Sequence, residues 1–181
     1  AYVKLWKHHG AQKEADEISR IIKNDEEMKS IIGDKISSEV FIPKVLEIIH
    51  EDYEIYKASY KILEAADWLT WVLTDSEKRS SSMAGYKAWW LPERGFPDRE
   101  FLRKLDSRIE NIVEDKINAK ICPVGGKIGS LNKTWSTILG LNEGTAVAAS
   151  IIDSHAGVPG SGIYRPGQLM LVLGTSSVVI A

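Results

Sequence analysis

Asp153 stands where the apolar run "TAVAASII" (145–152) gives way to "DSHAGVPGSG" (153–162). A carboxylate beyond the end of a buried strand is placed to accept a proton from a substrate hydroxyl, because ligands of open α/β sheets sit beyond the carboxyl ends of the strands. The same position also suits a helix cap, and spacing alone does not choose between the two. The small residues that follow, Ala156, Gly157, Gly160, Ser161 and Gly162, permit close backbone approach, to a ligand or to a packed helix. A second candidate is "LVLGTSS" (171–177), in which Gly174, Thr175 and Ser176 follow an apolar run. Such a turn presents N–H and O–H donors to phosphate oxygens, though strand–Gly–Thr/Ser turns are also ordinary hairpin connections. It is neither a Walker A loop nor a nucleophile elbow.

Lys87 lies among aromatics in "AGYKAWW" (84–90). Its ammonium suits a polyol, with Trp89 or Trp90 against a sugar's C–H face, or it snorkels over an apolar patch. His8 and His9 are adjacent in "WKHHG", but no Cys or His partner stands at zinc spacing, so no metal site is expected there. Asp153, Ser154 and His155 are consecutive, and three neighbours in sequence seldom converge on one reacting atom, which disfavours a hydrolase triad.

The elements that must position these residues begin with helices. Ala15, Ile18 and Ile22 recur at helical spacing over residues 12–23. Residues 26–32 form a second helix closed by Gly33. Pro43 in "FIPKVLEII" marks a helix start that turns Val45, Ile48 and Ile49 to the core. Asp52 caps a helix carrying Ile55. Asp67 in "EAADWLTWVLTD" is expected to cap a helix with Trp68, Leu69, Val72 and Leu73. The Ser-, Gly- and Pro-rich stretch 76–98 reads as loop and short strands, and Asp98 caps a helix to about residue 105. The last third then reads as α/β: a short strand, a turn, a helix over about 131–139 ended by Gly140, the run 145–152 as a strand covered on both faces, a small-residue helix or loop over 154–164, and two strands joined at Gly174–Thr175–Ser176.

Composition sets the outer limits. The 181 residues carry a formal net charge of −2 and one cysteine, Cys122. That charge gives no electrostatic case for nucleic acid or an anionic membrane, and no apolar run nears the roughly 20 residues of a bilayer span. A single cysteine excludes an internal disulfide and makes a reducing cytoplasm the simplest compartment. The chain opens at Ala1 and stops inside an apolar run at Ala181. It is therefore expected to be a fragment of a longer protein, although a processed chain would look the same.

In this order, the blocks "AYVKLWKHHGAQKEADEI", "KISSEVFIPKV", "LEAADW", "AGYKAWW", "RGFPDREFLRKLDSRIENIVEDKI", "PVGGKIGSL", "LNEGTAVAASIIDSHAGVPGSGI" and "PGQLMLVLGTSS" resemble the L-ribulokinases of the FGGY carbohydrate-kinase family. The resemblance runs along essentially the whole chain but matches only the middle of the family's length. It implies an α/β fold, part of a two-domain actin/hexokinase-like (ribonuclease H-like) ATPase, helix-rich in the first half and with strands concentrated in the last third. It implies that residues 1–144 are the later part of the N-terminal domain and 145–181 the opening strands of the C-terminal one. It implies ATP-dependent phosphorylation of L-ribulose by the parent enzyme, the fragment alone being inactive.

On this resemblance Asp153 matches the catalytic base, Lys87 a sugar-binding lysine, and Trp6 a block lining the sugar pocket. Gly174, Thr175 and Ser176 match a loop that contacts the nucleotide's phosphates. ATP and Mg²⁺ are implied, with the Mg²⁺ ligands mostly outside these residues and no metal ligand assigned within them. The implied partners are the sugar and ATP, with no nucleic acid and no membrane, and homo-oligomerisation is left open. The alternatives are another kinase of the family, acting on D-ribulose, xylulose or glycerol, or a non-enzymatic sugar-binding remnant.

Overall fold

The computed structural model describes residues 3–174 and 177–180. The first half is helical, as the periodicity predicts. α1 (Gln12–Ile22) buries Ala15, Ile18 and Ile22 on one face. α2 (Glu26–Ile32) opens on Asp25, whose carboxylate accepts the Met28 amide at 3.0 Å, and closes at Gly33 with φ of 80°. α3 (Phe41–Glu51) starts two residues before Pro43. The first turn of a helix has no intrahelical acceptors for its amides, so proline costs no hydrogen bond at this third position either. α4 (Tyr53–Ala58) is capped by Asp52, which accepts from the amides of Glu54 and Ile55.

Ile18, Ile22, Ile42, Val45 and Ile49 meet Leu102 of α7 (Arg99–Leu105) and the following Ile109 and Ile112 in one core. Each such side chain contributes roughly 1.5–3 kcal/mol by leaving water.

Two sequence expectations change in the middle of the chain. α5 (Ala65–Thr74) begins at Ala65 after Glu64, so Asp67 lies inside the first turn and is not the cap. The face it buries carries Asp67 and Thr70, while Trp68 and Leu69 remain 53% and 49% exposed. The hydroxyl side of α5 meets β3 (Lys127–Ser130) so closely that a Cβ on Gly129 would lie 2.6 Å from Thr74 Cβ.

The stretch 76–98 is also more regular than its composition suggests. It holds β1 (Lys78–Ser80) and α6 (Ser81–Ala88). Ser80 provides the nucleus by capping α6 through the Ser82 amide at 3.1 Å, a local bond that offsets the weak helix propensity of serine and glycine.

β1 pairs in parallel with β2 (Lys120–Cys122), and β3 pairs antiparallel with β4 (Ala146–Ala148). α8 (Lys133–Leu139) runs between β3 and β4, capped by Asn132 and ended by Gly140 at φ of 66°. The expected strand over 145–152 is confined to three residues. The polar groups of 150–152 bond to side chains of β1 and α6 instead of to a neighbouring strand. Its expected cover on both faces is also missing among the described residues, for Ala146 and Ala148 are exposed. α9 (Asp153–Gly160) follows, and then β5 (Met170–Leu173) pairs antiparallel with β6 (Ser177–Ile180). A second, smaller core joins Cys122, Ile128 and Ala149.

A polar hub ties the helices of the first core together. His50 of α3 places Nδ1 2.8 Å from Glu14 Oε1 of α1 and Nε2 3.6 Å from Asp106 Oδ2. Asp106 also accepts from Arg108 Nε and Nη2 at 2.9 and 2.6 Å. The Arg108 hydrogen bonds hold the Asp106 carboxyl below the usual carboxylate range. A depressed folded-state value means that this pair's contribution is full above the unfolded value of about 3.9 and is lost as pH falls through the folded one. The stability difference between the wild type and Arg108→Ala is therefore expected to shrink between about pH 5 and pH 2 in urea titrations. A difference that stays constant across that range contradicts the pairing.

Candidate active site

Asp153 is the first residue of α9 and is solvent-exposed. Ile152 precedes the helix and makes no side-chain cap, while Asp153 Oδ1 accepts the neighbouring Ser154 amide at 2.8 Å. The carboxylate thus sits at the positive end of a helix and remains open to a ligand.

Its position is set from behind by a run of hydrogen bonds. Asp67, 2% exposed, accepts the Ser80 amide at 2.8 Å and the Ser150 hydroxyl at 3.4 Å. Ser80 Oγ donates to the Ser150 carbonyl and accepts the Ser82 amide. Ser82 Oγ accepts the Ile152 amide at 3.3 Å and lies 3.3 Å from His155 Nδ1. The His155 ring meets Tyr86 edge-on with centroids 5.1 Å apart. α5, β1 and α6 together fix the residues on either side of Asp153. Burial pushes the Asp67 carboxyl upward, countered by the Ser80 amide and by the charge of Arg79.

Lys87 follows Tyr86 on α6, with its ammonium 5.5 Å from that ring's centroid. Its charge is felt by Lys44 and by Glu64. Burial lowers the Lys44 ammonium, and Lys87 adds to that effect; burial raises the Glu64 carboxyl, and Lys87 opposes it. Trp89 is not a sugar platform, since it packs edge-on against Phe101 within the core.

Trp6, 46% exposed, sits in a turn clamped onto α3. Lys44 Nζ donates to the carbonyls of Leu5 at 2.9 Å and His8 at 2.7 Å, one on each side of Trp6. Glu47, 3% exposed, takes Lys4 at 3.2 Å and His8 Nε2 at 3.3 Å on Oε1. Lys4 also pairs with Glu51 at 2.6 Å, and His9 Nδ1 lies 3.2 Å from Ser38 Oγ. The two histidines are therefore structural. Gly10 makes the clamp possible, because a Cβ there would lie 1.9 Å from Glu47 Oε1.

Ser82 and Tyr86 of α6 thus reach Ile152 and His155 on either side of Asp153, and the positive charge of Lys87 acts on Lys44. Gly174 is exposed at the end of β5, and that hairpin reaches α9 through Met170, whose sulfur accepts from Ser161 Oγ at 3.4 Å. Thr175 and Ser176 lie outside the described residues. A cleft of about 420 Å³ between α2 and α7, lined by Met28, Trp89, Phe96 and Lys104, includes only Trp89 of the candidate site residues singled out in the sequence. Asp153, Lys87 and Trp6 lie outside it.

Asp67, Lys44, Glu47 and Gly10 were missed as members of this site. The inward face of α5 did carry a signal, for Asp67, Thr70 and Thr74 recur at helical spacing as a polar stripe. Nothing in the sequence near Lys44 or Glu47 announces their partners, which lie some 36 to 43 positions away in the chain.

No family model matches the chain. Over 178 residues it is 42% identical to a ribulokinase from Bacillus licheniformis, an alignment covering 98% of this chain and 32% of that relative. It is also 43% identical over 177 residues to a ribulokinase from Geobacillus thermodenitrificans, covering 97% of this chain and 31% of that one. This chain is a relative of the ribulokinases. It spans about a third of the length of the curated ribulokinases it matches. A solved gluconate kinase from Lactobacillus acidophilus has the same fold, with a TM-score of 0.76 over 97% of this chain and 34% of its own, at 17% identity. The fold expected from the sequence, an α/β portion of an actin/hexokinase-like ATPase, is the one observed. No helix among the described residues of this ribulokinase relative is long and apolar enough to cross a membrane.

The clamp at Trp6 is testable through Gly10. Gly10→Ala is expected to destabilise the protein by about 1–3 kcal/mol in urea unfolding, the usual cost of overpacking. Gly160→Ala, where a methyl meets nothing within 4 Å, is expected to be neutral or slightly stabilising. Equal effects at the two positions contradict the clamp.

Proposed function

We propose that the protein containing this chain is an ATP-dependent kinase that phosphorylates L-ribulose to L-ribulose 5-phosphate, with Asp153 as the general base. The observation that carries the reading is the similarity to ribulokinases along nearly the whole chain. The open carboxylate at the start of α9, fixed from behind by α5, β1 and α6, supports it. A carboxylate is too weak to deprotonate a free alcohol in the ground state. It serves by orienting the hydroxyl and taking its proton late, as the new O–P bond forms and the bond from the γ-phosphorus to the departing ADP oxygen breaks. Lys87 donates to sugar hydroxyls, and Trp6 offers an apolar face to the sugar's C–H surface. Gly174, Thr175 and Ser176 supply donors to phosphate oxygens in this reading. The sugar and ATP are the partners, and the setting is the cytoplasm.

Among the described residues no group of three or more His, Cys, Asp or Glu side chains is arranged to hold a metal ion. In this reading Mg²⁺ would be held by the nucleotide's phosphates and by residues mostly outside this chain, and no step is routed through it. The proposed division into 1–144 and 145–181 falls between β3 and β4, which pair across it. The isolated 181-residue chain is proposed to be inactive. Phosphorylation of D-ribulose, xylulose or glycerol by a related kinase is the second reading, and a ketose and polyol panel on the complete protein separates the two.

In the complete protein, Asp153→Asn is expected to lower kcat by about 10²–10⁴-fold, the usual contribution of a positioned acid or base. Thermal stability should stay near wild type, because the side chain is exposed. Ribulose phosphorylation at a rate close to wild type refutes the assignment.

A further inference from the structure

Asp67 is a buried carboxylate that the proposed phosphoryl transfer does not use. Placing such a charge in a protein interior costs several kcal/mol of desolvation, and an apolar residue of similar volume is often at least as stable. Its cost is only partly offset, since no cation lies within ion-pair distance among the described residues and the charge of Arg79 acts from further away. All of its side-chain hydrogen bonds run toward one place. Oδ1 takes the Ser80 amide at the end of β1 and the Ser150 hydroxyl at the end of the run before α9. Ser80 Oγ holds the Ser150 carbonyl and the Ser82 amide. Ser82 Oγ holds the Ile152 amide at 3.3 Å and meets His155 at 3.3 Å. The ladder ends on the residues immediately before and two after Asp153.

These bonds also replace the strand pairing that 150–152 lack, so the backbone leading into α9 is positioned by side chains from α5, β1 and α6. We infer that Asp67 is a positioning residue for Asp153, acting through Ser80, Ser82 and the backbone of residues 150–152. The inference rests on the reading of Asp153 as the base. It requires no contact between Asp67 and the sugar. Removing Asp67 leaves the Ser80 amide and the Ser150 hydroxyl without their acceptor and frees the segment to shift, and a misplacement of about 1 Å can cost about 10²-fold in rate.

The test uses the complete protein with L-ribulose and ATP. Asp67→Ala is expected to lower kcat by about 10²-fold with KM for both substrates within about twofold. Asp67→Asn keeps an oxygen acceptor for the Ser80 amide and is expected to recover most of the rate. A folded Asp67→Ala protein with wild-type kcat overturns the inference, as does a loss that lies wholly in KM. Should Asp67→Ala fail to fold, Ser82→Ala carries the same test: a kcat-only loss supports the ladder, and wild-type kcat overturns it. Asp153→Asn is measured in parallel. If that variant stays active, the base assignment fails by itself, and hydrogen exchange across residues 146–155 then decides the ladder. Faster exchange in the Asp67 or Ser82 variant supports it, and unchanged protection overturns it.

Discussion

The contact on which the site's geometry depends is the buried Asp67 carboxylate accepting the Ser80 amide. That one bond joins the first turn of α5 to the end of β1, and Ser80 passes the constraint to Ser150 and to the start of α6. Because Ser82 then holds Ile152, the exposed acid at the head of α9 stands on a rigid base. Exposure and fixation are normally opposed, since loops that reach solvent are mobile. The two are reconciled by putting Asp153 on a helix terminus whose backbone is tied by side chains from three other elements.

A second, independent device serves Trp6. The turn that carries it has little apolar cover, and the lysine and glutamate of one helix hold it by polar contacts at its carbonyls and histidine. Glu47 Oε2 is buried without a hydrogen-bond partner among the described residues, which marks the clamp as a costly contact rather than an incidental one. Burial lowers the Lys44 ammonium, and the positive charge of Lys87 adds to that effect.

Features set by neighbours in sequence were legible before the structure. The apolar stripe of α1, the Asp52 and Asp98 caps, the Gly33 and Gly140 stops and the β5–β6 pairing all follow from contacts within a few residues. Asp67 was misread as a cap because an acid before an apolar helix has the same local signature whether its carboxylate faces solvent or a serine 83 positions later. α6 was misread because serine and glycine argue for a loop until the Ser80 cap and the β1–β2 pairing hold it in place. The strand over 145–152 was read too long because an apolar run does not reveal that its last residues bond to side chains. Asp153 and Lys87 were singled out through their blocks of sequence, whereas the bonds from Ser80 and Ser82 that hold the backbone before Asp153 span 70 positions.

The most direct test is a crystal structure of the complete protein with L-ribulose bound. The account predicts the sugar's reacting hydroxyl within about 2.6–3.2 Å of the Asp153 carboxylate, the reach of a general base, with Lys87 hydrogen-bonded to the same sugar. A sugar bound beyond the reach of Asp153, with its hydroxyl facing another acid, contradicts it.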